Sequence, residues 1–238
     1  ITNYIPSFAG FLVQSELKAL SLALDKPLKP VTAIVGGSKI STKIELLDNL
    51  SNKVEYLIIG GAMANTFLSA QGYGIGISLT EKKMLQTAKK IVQELKYKKC
   101  KLVLPLDIVC SESLNEKKEA KTFRVDCCPI DKMILDIGTQ SQKNIKDIIN
   151  KSKTLIWNGP LGAFETRPFD QGTNNIANHV ANRTSKKQLI SIAGGGDTVS
   201  ALNTSSSISK FSYVSTAGGA FLEWLEGKSL PGIESLKL

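Results

Sequence analysis

Two lysines and one aspartate stand beside glycine-rich turns, and their chemistry suits a phosphorylated ligand. Lys39 and Lys43 follow Gly36-Gly37. Four residues apart, they are expected to share a face at the start of a helix, from which both ammonium groups reach phosphate oxygens. The competing reading is a pair of solvated lysines. Asp197 follows Gly194-Gly195-Gly196 and precedes Thr198. The apolar run Leu189 to Ala193 predicts a short buried strand. The glycines then turn the backbone into a helix whose free N–H groups face an anion. A carboxylate repels that anion unless a hard cation such as Mg²⁺ lies between them. For this stretch alone, a tight turn with Asp197 as N-cap is the alternative.

Asn158 and Pro160 follow another apolar run, and Glu165 lies in the polar stretch Glu165-Thr166-Arg167. Asn158 offers an amide to a phosphate or base, and Glu165 can accept from ribose hydroxyls. Turn and solvated-loop roles explain both residues equally well. None of these groups is a convincing general base. Phosphoryl transfer needs little of one, because positioning and charge neutralisation carry its transition state. His179 is the only histidine and has no partner visible in the sequence, so a surface role is expected and a Ser–His–Asp mechanism is disfavoured. Cys100, Cys110, Cys127 and Cys128 form no C-x-x-C pair. Free buried thiols in a reducing cytoplasm are expected, rather than zinc ligands.

These residues need a frame that brings them together. Phe8 to Leu24 reads as an amphipathic helix closed by Pro27 and Pro30. Beyond it, strand, glycine turn and helix recur. The strands are Val31 to Val35, Val54 to Ile59, Leu102 to Leu104, Thr154 to Trp157, Leu189 to Ala193 and Tyr213-Val214. The alternation predicts an α/β fold: a mainly parallel sheet flanked by helices in a Rossmann-like, three-layer domain. Thr122 to Val125 and Met133 to Asp136 are weaker strands, expected as an antiparallel or edge addition. Gly36, Gly60, Gly159, Gly194 and Gly218 then fall at the carboxyl ends of strands, the edge where open parallel sheets bind ligands. Walker A and G-x-G-x-x-G patterns are both absent.

The 238 residues carry 42% hydrophobic and 21% charged residues, an ordinary globular profile. No apolar run reaches membrane-spanning length, and a cytoplasmic protein is expected. The formal charge is +9, but only three of the 30 basic residues are arginines. With Arg and aromatics scarce, nucleic acid is not expected as a partner, whereas anionic metabolites are.

The segments Val35-Gly36-Gly37-Ser38-Lys39-Ile40-Ser41-Thr42-Lys43, Ile59-Gly60-Gly61-Ala62-Met63-Ala64, Leu135-Asp136-Ile137-Gly138, Trp157-Asn158-Gly159-Pro160-Leu161-Gly162-Ala163-Phe164-Glu165, Gly194-Gly195-Gly196-Asp197-Thr198 and Val214-Ser215-Thr216-Ala217-Gly218-Gly219-Ala220 resemble phosphoglycerate kinases, collinearly over nearly the whole chain. The resemblance implies a monomeric, two-domain hinge-bending kinase that moves a phosphoryl group between 1,3-bisphosphoglycerate and Mg-ADP. Residues 1–28 would be an interdomain connection and helix, and 29–238 the nucleotide-binding domain. The N-terminal phosphoglycerate-binding domain is not in this chain. By the same resemblance Gly37, Ser38, Gly60, Gly61, Leu79 and Leu135 line the adenine and ribose side. Glu165 holds the ribose, with Asn158 and Pro160 nearby. Lys43 holds the ADP or ATP phosphates, and Lys39 follows the transferred group towards 3-phosphoglycerate. Asp197 takes Mg²⁺, and Thr198 takes the phosphates. Gly194, Gly195 and Gly196 belong to the nucleotide site, and the amides around Gly195-Gly196 and Gly218-Gly219 face the transition state. Ala217 and Phe221 stand where glycine and a small polar residue are usual, and Ala62 and Ser38 are milder departures. A stand-alone nucleotide-binding or regulatory module without catalysis is the alternative, with a Lys-rich RNA-binding protein behind it.

Overall fold

The structure, a computed structural model, describes residues 4–115 and 120–236. Six strands form one parallel sheet in the order β3-β2-β1-β7-β8-β9. They are β1 (Val31–Val35), β2 (Tyr56–Ile59), β3 (Lys101–Val103), β7 (Thr154–Asn158), β8 (Ile190–Ala193) and β9 (Tyr213–Val214). Both central strands, β1 and β7, are buried along their whole length. Buried on two faces, they read as continuous apolar runs rather than as alternations.

Alternate side chains nevertheless go to opposite faces. Val31, Ala33, Val35, Leu57, Ile59 and Ile156 pack on one side. There they meet α1 (Phe11–Leu24), α2 (Ile44–Ser51), α3 (Gly61–Ala70), α4 (Leu85–Tyr97) and α8 (Gly219–Leu225). Ile34, Ile58, Leu155, Trp157 and Ala193 pack on the other side. Their partners lie on α5 (Thr139–Lys151), α6 (Gln171–Ser185) and α7 (Gly196–Thr204). The expected three layers are therefore present.

Thr122 to Val125 and Met133 to Asp136 extend no edge of this sheet. As β5 (Lys121–Arg124) and β6 (Met133–Ile137), they flank β4 (Asp107–Ser111) in a separate antiparallel sheet of order β5-β4-β6. The sequence pattern did not identify β4. Nor did it identify α5, whose buried Ile145, Ile148 and Ile149 are spaced for a helix but diluted by polar residues. Helix α1 starts at Phe11 rather than Phe8, with Gly10 at its N-cap. Only its C-terminal half is buried. Phe8, Phe11 and Leu12 are 80%, 89% and 71% exposed. A short α9 (Pro231–Glu234) follows α8.

One smaller expectation needs correction. Cys100 and Cys110 are buried free thiols as expected, but Cys128 is half-buried and Cys127 exposed. A surface turn that pairs Arg124 with Asp126 carries Cys127 outward. His179 has a partner, the Asn150 side-chain oxygen at 3.0 Å. Among the described residues no helix is long and apolar enough to cross a membrane.

Candidate active site

Because all six strands run parallel, their carboxyl ends share one edge. The turns at Gly36, Gly60, Gly159 and Gly194 lie there, with Gly218 in the segment after β9. The glycines divide into two groups. A Cβ on Gly36 would sit 1.8 Å from the Pro160 carbonyl oxygen, and one on Gly60 would strike Leu161. Gly159, at φ +96°, presses back on the Gly36 carbonyl. These positions are glycine because adjacent turns touch backbone to backbone. Gly196, Gly218 and Gly219 face open space instead, with nothing within 4 Å of an added Cβ. Packing does not account for them; Gly218, at φ +57°, is in the left-handed region that favours glycine.

A cavity of about 430 Å³ opens along this edge, the size of a small-molecule site. Of the residues singled out in the sequence, Gly37, Ser38, Gly61, Leu79, Leu135, Pro160, Glu165 and Asp197 line it. Met133, Ile134, Leu161 and Phe164 add an apolar wall suited to a flat ring. Asn65 and Asp136, which sequence reasoning had not singled out, belong to the same wall. The first turn of α3 points its amides into the region. Gly61 donates to the Leu161 carbonyl at 2.9 Å, and Met63 donates to the Gly37 carbonyl at 2.9 Å.

Lys39 and Lys43 do not share a helix face. Residues 36–43 form an irregular loop, and α2 begins only at Ile44. Ile40, fully buried, plugs this loop into the core and sends the two lysines in different directions. Lys39 is exposed. Lys43 is half-buried, and its Nζ donates to the Gly36 carbonyl and to Asn158 Oδ1, both at 2.7 Å. Burial pulls its pKa down to about 8, opposed by the carboxylate of Asp197.

Asn158 is buried and works as a bracket between turns, because its Nδ2 donates to the Gly194 carbonyl at 2.8 Å. Thr198 is also buried, and its hydroxyl accepts from the Gly159 amide at 2.6 Å. Both side chains therefore hold loops in place. The N-cap of α7 is Gly195 at φ +96°, which removes the reading of Asp197 as N-cap. Asp197 lies in the first turn of α7, exposed at the cavity. Among the described residues no donor bonds its carboxylate, and no three His, Cys, Asp or Glu side chains cluster as a metal cage. One open oxygen ligand fits Mg²⁺ that arrives with a phosphate chain, since that ion takes one or two carboxylates plus phosphate oxygens.

Asp136 lies in one of the segments that carry the resemblance, with no role expected of it. Its Oδ2 accepts from the Gly172 amide at 2.7 Å, and its Oδ1 from the Ile137 amide at 2.8 Å. Burial pushes its pKa up to about 8 despite those two bonds, with Asp170 adding to the rise. A Cβ on Gly162 or Gly172 would each lie 2.3 Å from Oδ1, so this carboxyl fixes how the segment carrying Glu165 packs on β6. The Ala163 amide, which donates to the Leu135 carbonyl at 2.7 Å, completes that junction.

The two unusual residues also have a place. Phe221 is fully buried, its ring against Gly194 and its neighbours in the core that includes Leu225. Ala217 is exposed and does not have a positive φ, so its Cβ causes no backbone strain.

The family model described as phosphoglycerate kinase matches residues 1–228. The curated phosphoglycerate kinase of Methylorubrum extorquens (strain PA1) is 54% identical over 237 residues, covering 100% of this chain and 59% of the relative. That of Bradyrhizobium diazoefficiens is 53% identical over 234 residues, covering 98% and 59%. The solved phosphoglycerate kinase from Coxiella burnetii matches with a TM-score of 0.91 at 46% identity, covering 96% of this chain and 58% of that one. The enzyme from Pyrococcus horikoshii OT3 matches with a TM-score of 0.82 at 24% identity, a likeness of fold alone. The chain thus spans 59% of the length of these curated relatives.

Proposed function

The chain belongs to the phosphoglycerate kinase family, and from that membership we propose that its cavity is the nucleotide site of a kinase moving a phosphoryl group between 1,3-bisphosphoglycerate and Mg-ADP. One observation carries the proposal. A single cavity has an apolar wall and Glu165 on its lining, Asp197 on the same lining, and Lys43 bonded beneath it. The base and ribose occupy the apolar wall. The phosphates run towards Lys43, Asp197 and the open glycines of α7 and α8. Asp197 is the residue that would hold Mg²⁺, which neutralises phosphate charge during transfer. Lys39, exposed, follows the migrating group, while the amides at Gly196, Gly218 and Gly219 face the transition state.

The acceptor site belongs to a second domain, packed next to the segment that carries Phe8, Phe11 and Leu12. The exposed Phe8, Phe11 and Leu12 support that arrangement, because large apolar side chains clustered on one surface mark an interface. Closure of the two domains excludes water from the transfer.

The test uses the 238-residue chain itself. Calorimetry is expected to show Mg-ADP binding, and a coupled assay no transfer to 3-phosphoglycerate. Failure to bind either ADP or ATP removes the nucleotide site. Turnover near an ordinary enzyme rate, on the order of 10 s⁻¹, places the acceptor site within these residues and removes the two-domain reading.

A further inference from the structure

We propose that Glu81 is the positioning residue for Lys39, an inference that rests on the reading of Lys39 as the lysine that follows the transferred phosphoryl group. Glu81 precedes a 3-10 turn (Lys82–Met84), and its own backbone is anchored away from the lysine loop. Its amide donates at 3.2 Å to the hydroxyl of Thr66, a fully buried residue of α3. From that anchor the side chain reaches across to the 36–43 loop. Oε2 accepts from the Ser41 amide at 3.0 Å, and Oε1 accepts from the Ser41 hydroxyl at 2.5 Å.

Both carboxylate oxygens are thus spent on one residue, two positions after Lys39. Burial alone would raise the Glu81 carboxyl. The Ser41 hydroxyl and amide, the Ile40 amide and the nearby Lys39 ammonium together hold it below its ordinary value, so the charged form is the one the loop is built on. Ile40, between Lys39 and Ser41, is plugged into the core. The Thr42 hydroxyl donates back to the Lys39 carbonyl at 3.1 Å. The main chain of Lys39 is therefore fixed by a plug, a clamp and a return bond, while its side chain is exposed. Leu79, two residues before Glu81, lines the cavity. One short segment thus shapes both the apolar wall and the loop of the moving lysine. A misplacement on the order of 1 Å in such a group costs up to about 100-fold in rate.

The test is a double-mutant cycle in the full-length protein, measuring kcat together with nucleotide Kd. Glu81→Ala is expected to lower kcat about tenfold and to change nucleotide Kd less than about twofold. Glu81→Gln keeps one acceptor for Ser41 and is expected to recover part of the loss. In a Lys39→Ala background, Glu81→Ala is expected to add almost nothing. An equal loss in both backgrounds shows that Glu81 acts elsewhere and overturns the proposal, as does an unchanged kcat in Glu81→Ala alone. If Lys39→Ala itself leaves kcat intact, the reading of Lys39 fails and takes the proposal with it, an outcome distinct from a silent Glu81. Should Glu81→Ala not fold, Ser41→Ala decides. It deletes one donor from an exposed side chain and is expected to lower kcat a few-fold, with the same dependence on Lys39. Independence from Lys39 in that variant overturns the proposal as well.

Discussion

The Lys43 ammonium donates to the Asn158 side-chain oxygen at 2.7 Å, tying the loop after β1 to the last residue of β7. Asn158 passes the tie on to Gly194, after β8. Lys43 is therefore held by two hydrogen bonds, whereas Lys39 is exposed.

This contrast predicts different kinetic signatures in the full-length protein. Lys43→Ala should raise the nucleotide KM more than it lowers kcat, since a pre-set contact is made in the ground state. Lys39→Ala should lower kcat more than it raises KM, since its contact matures during transfer. Steady-state kinetics with varied Mg-ADP measures both, and identical signatures would refute the division of roles.

The two groups of glycines should separate under substitution. Gly36→Ala forces a Cβ into the Pro160 carbonyl and should cost about 2–3 kcal/mol or more in urea unfolding. Gly196→Ala meets open space and should leave stability within about 0.5 kcal/mol while weakening nucleotide binding. A Gly196→Ala protein that binds nucleotide normally would show that the ligand does not approach this backbone.

Asp197 should matter to the metal complex above all. Calorimetry on Asp197→Ala should show a larger loss of affinity for Mg-ADP than for ADP in chelator. Equal losses would leave the residue with no part in holding Mg²⁺.

Asp136 sets a pH dependence of stability. Its carboxyl titrates near 8 in the fold against an ordinary 3.8, so between those values the folded state binds more protons than the unfolded one. Stability from this group is fully present below about pH 4 and is lost as pH rises to about 8, with a slope of at most about 1.4 kcal/mol per pH unit. Asp136→Asn mimics the protonated acid and should flatten that window. Urea titrations from pH 5 to pH 8.5 test it, and parallel curves for both proteins would reject the raised pKa.

Much of the main sheet was legible because parallel strands buried on both faces are nearly continuous apolar runs closed by glycine, as in Val31–Val35 and Thr154–Asn158. The second sheet was less so. β5 is mostly exposed, and β4 carries a register shift between Val109 and Cys110, so neither shows a clean period. In the cavity, residues that follow strands were found from their turns. Asp136 and Asn65, and Glu81 outside the cavity lining, were not, because their contacts span 36, 14 and 40 residues. A helical reading of Lys39 and Lys43 failed for a related reason. Spacing of four suggests a helix, but Ile40 is pulled inward by the core and Ser41 is pulled aside by Glu81.

Strand β1 pairs with β2 on one side and β7 on the other, and its partners in β7 lie roughly 120 residues downstream. During synthesis the β2 side can zip as soon as Ile59 has left the ribosome. The other edge of Val31–Val35 stays uncovered until Trp157 emerges, about 10 seconds later at ordinary elongation rates. Throughout that interval a β-branched, uncharged segment presents unpaired amides and carbonyls, the kind of edge that recruits another chain. The order of strands that gathers the glycine turns at one edge thus also leaves the nascent chain dependent on timely elongation or on a chaperone.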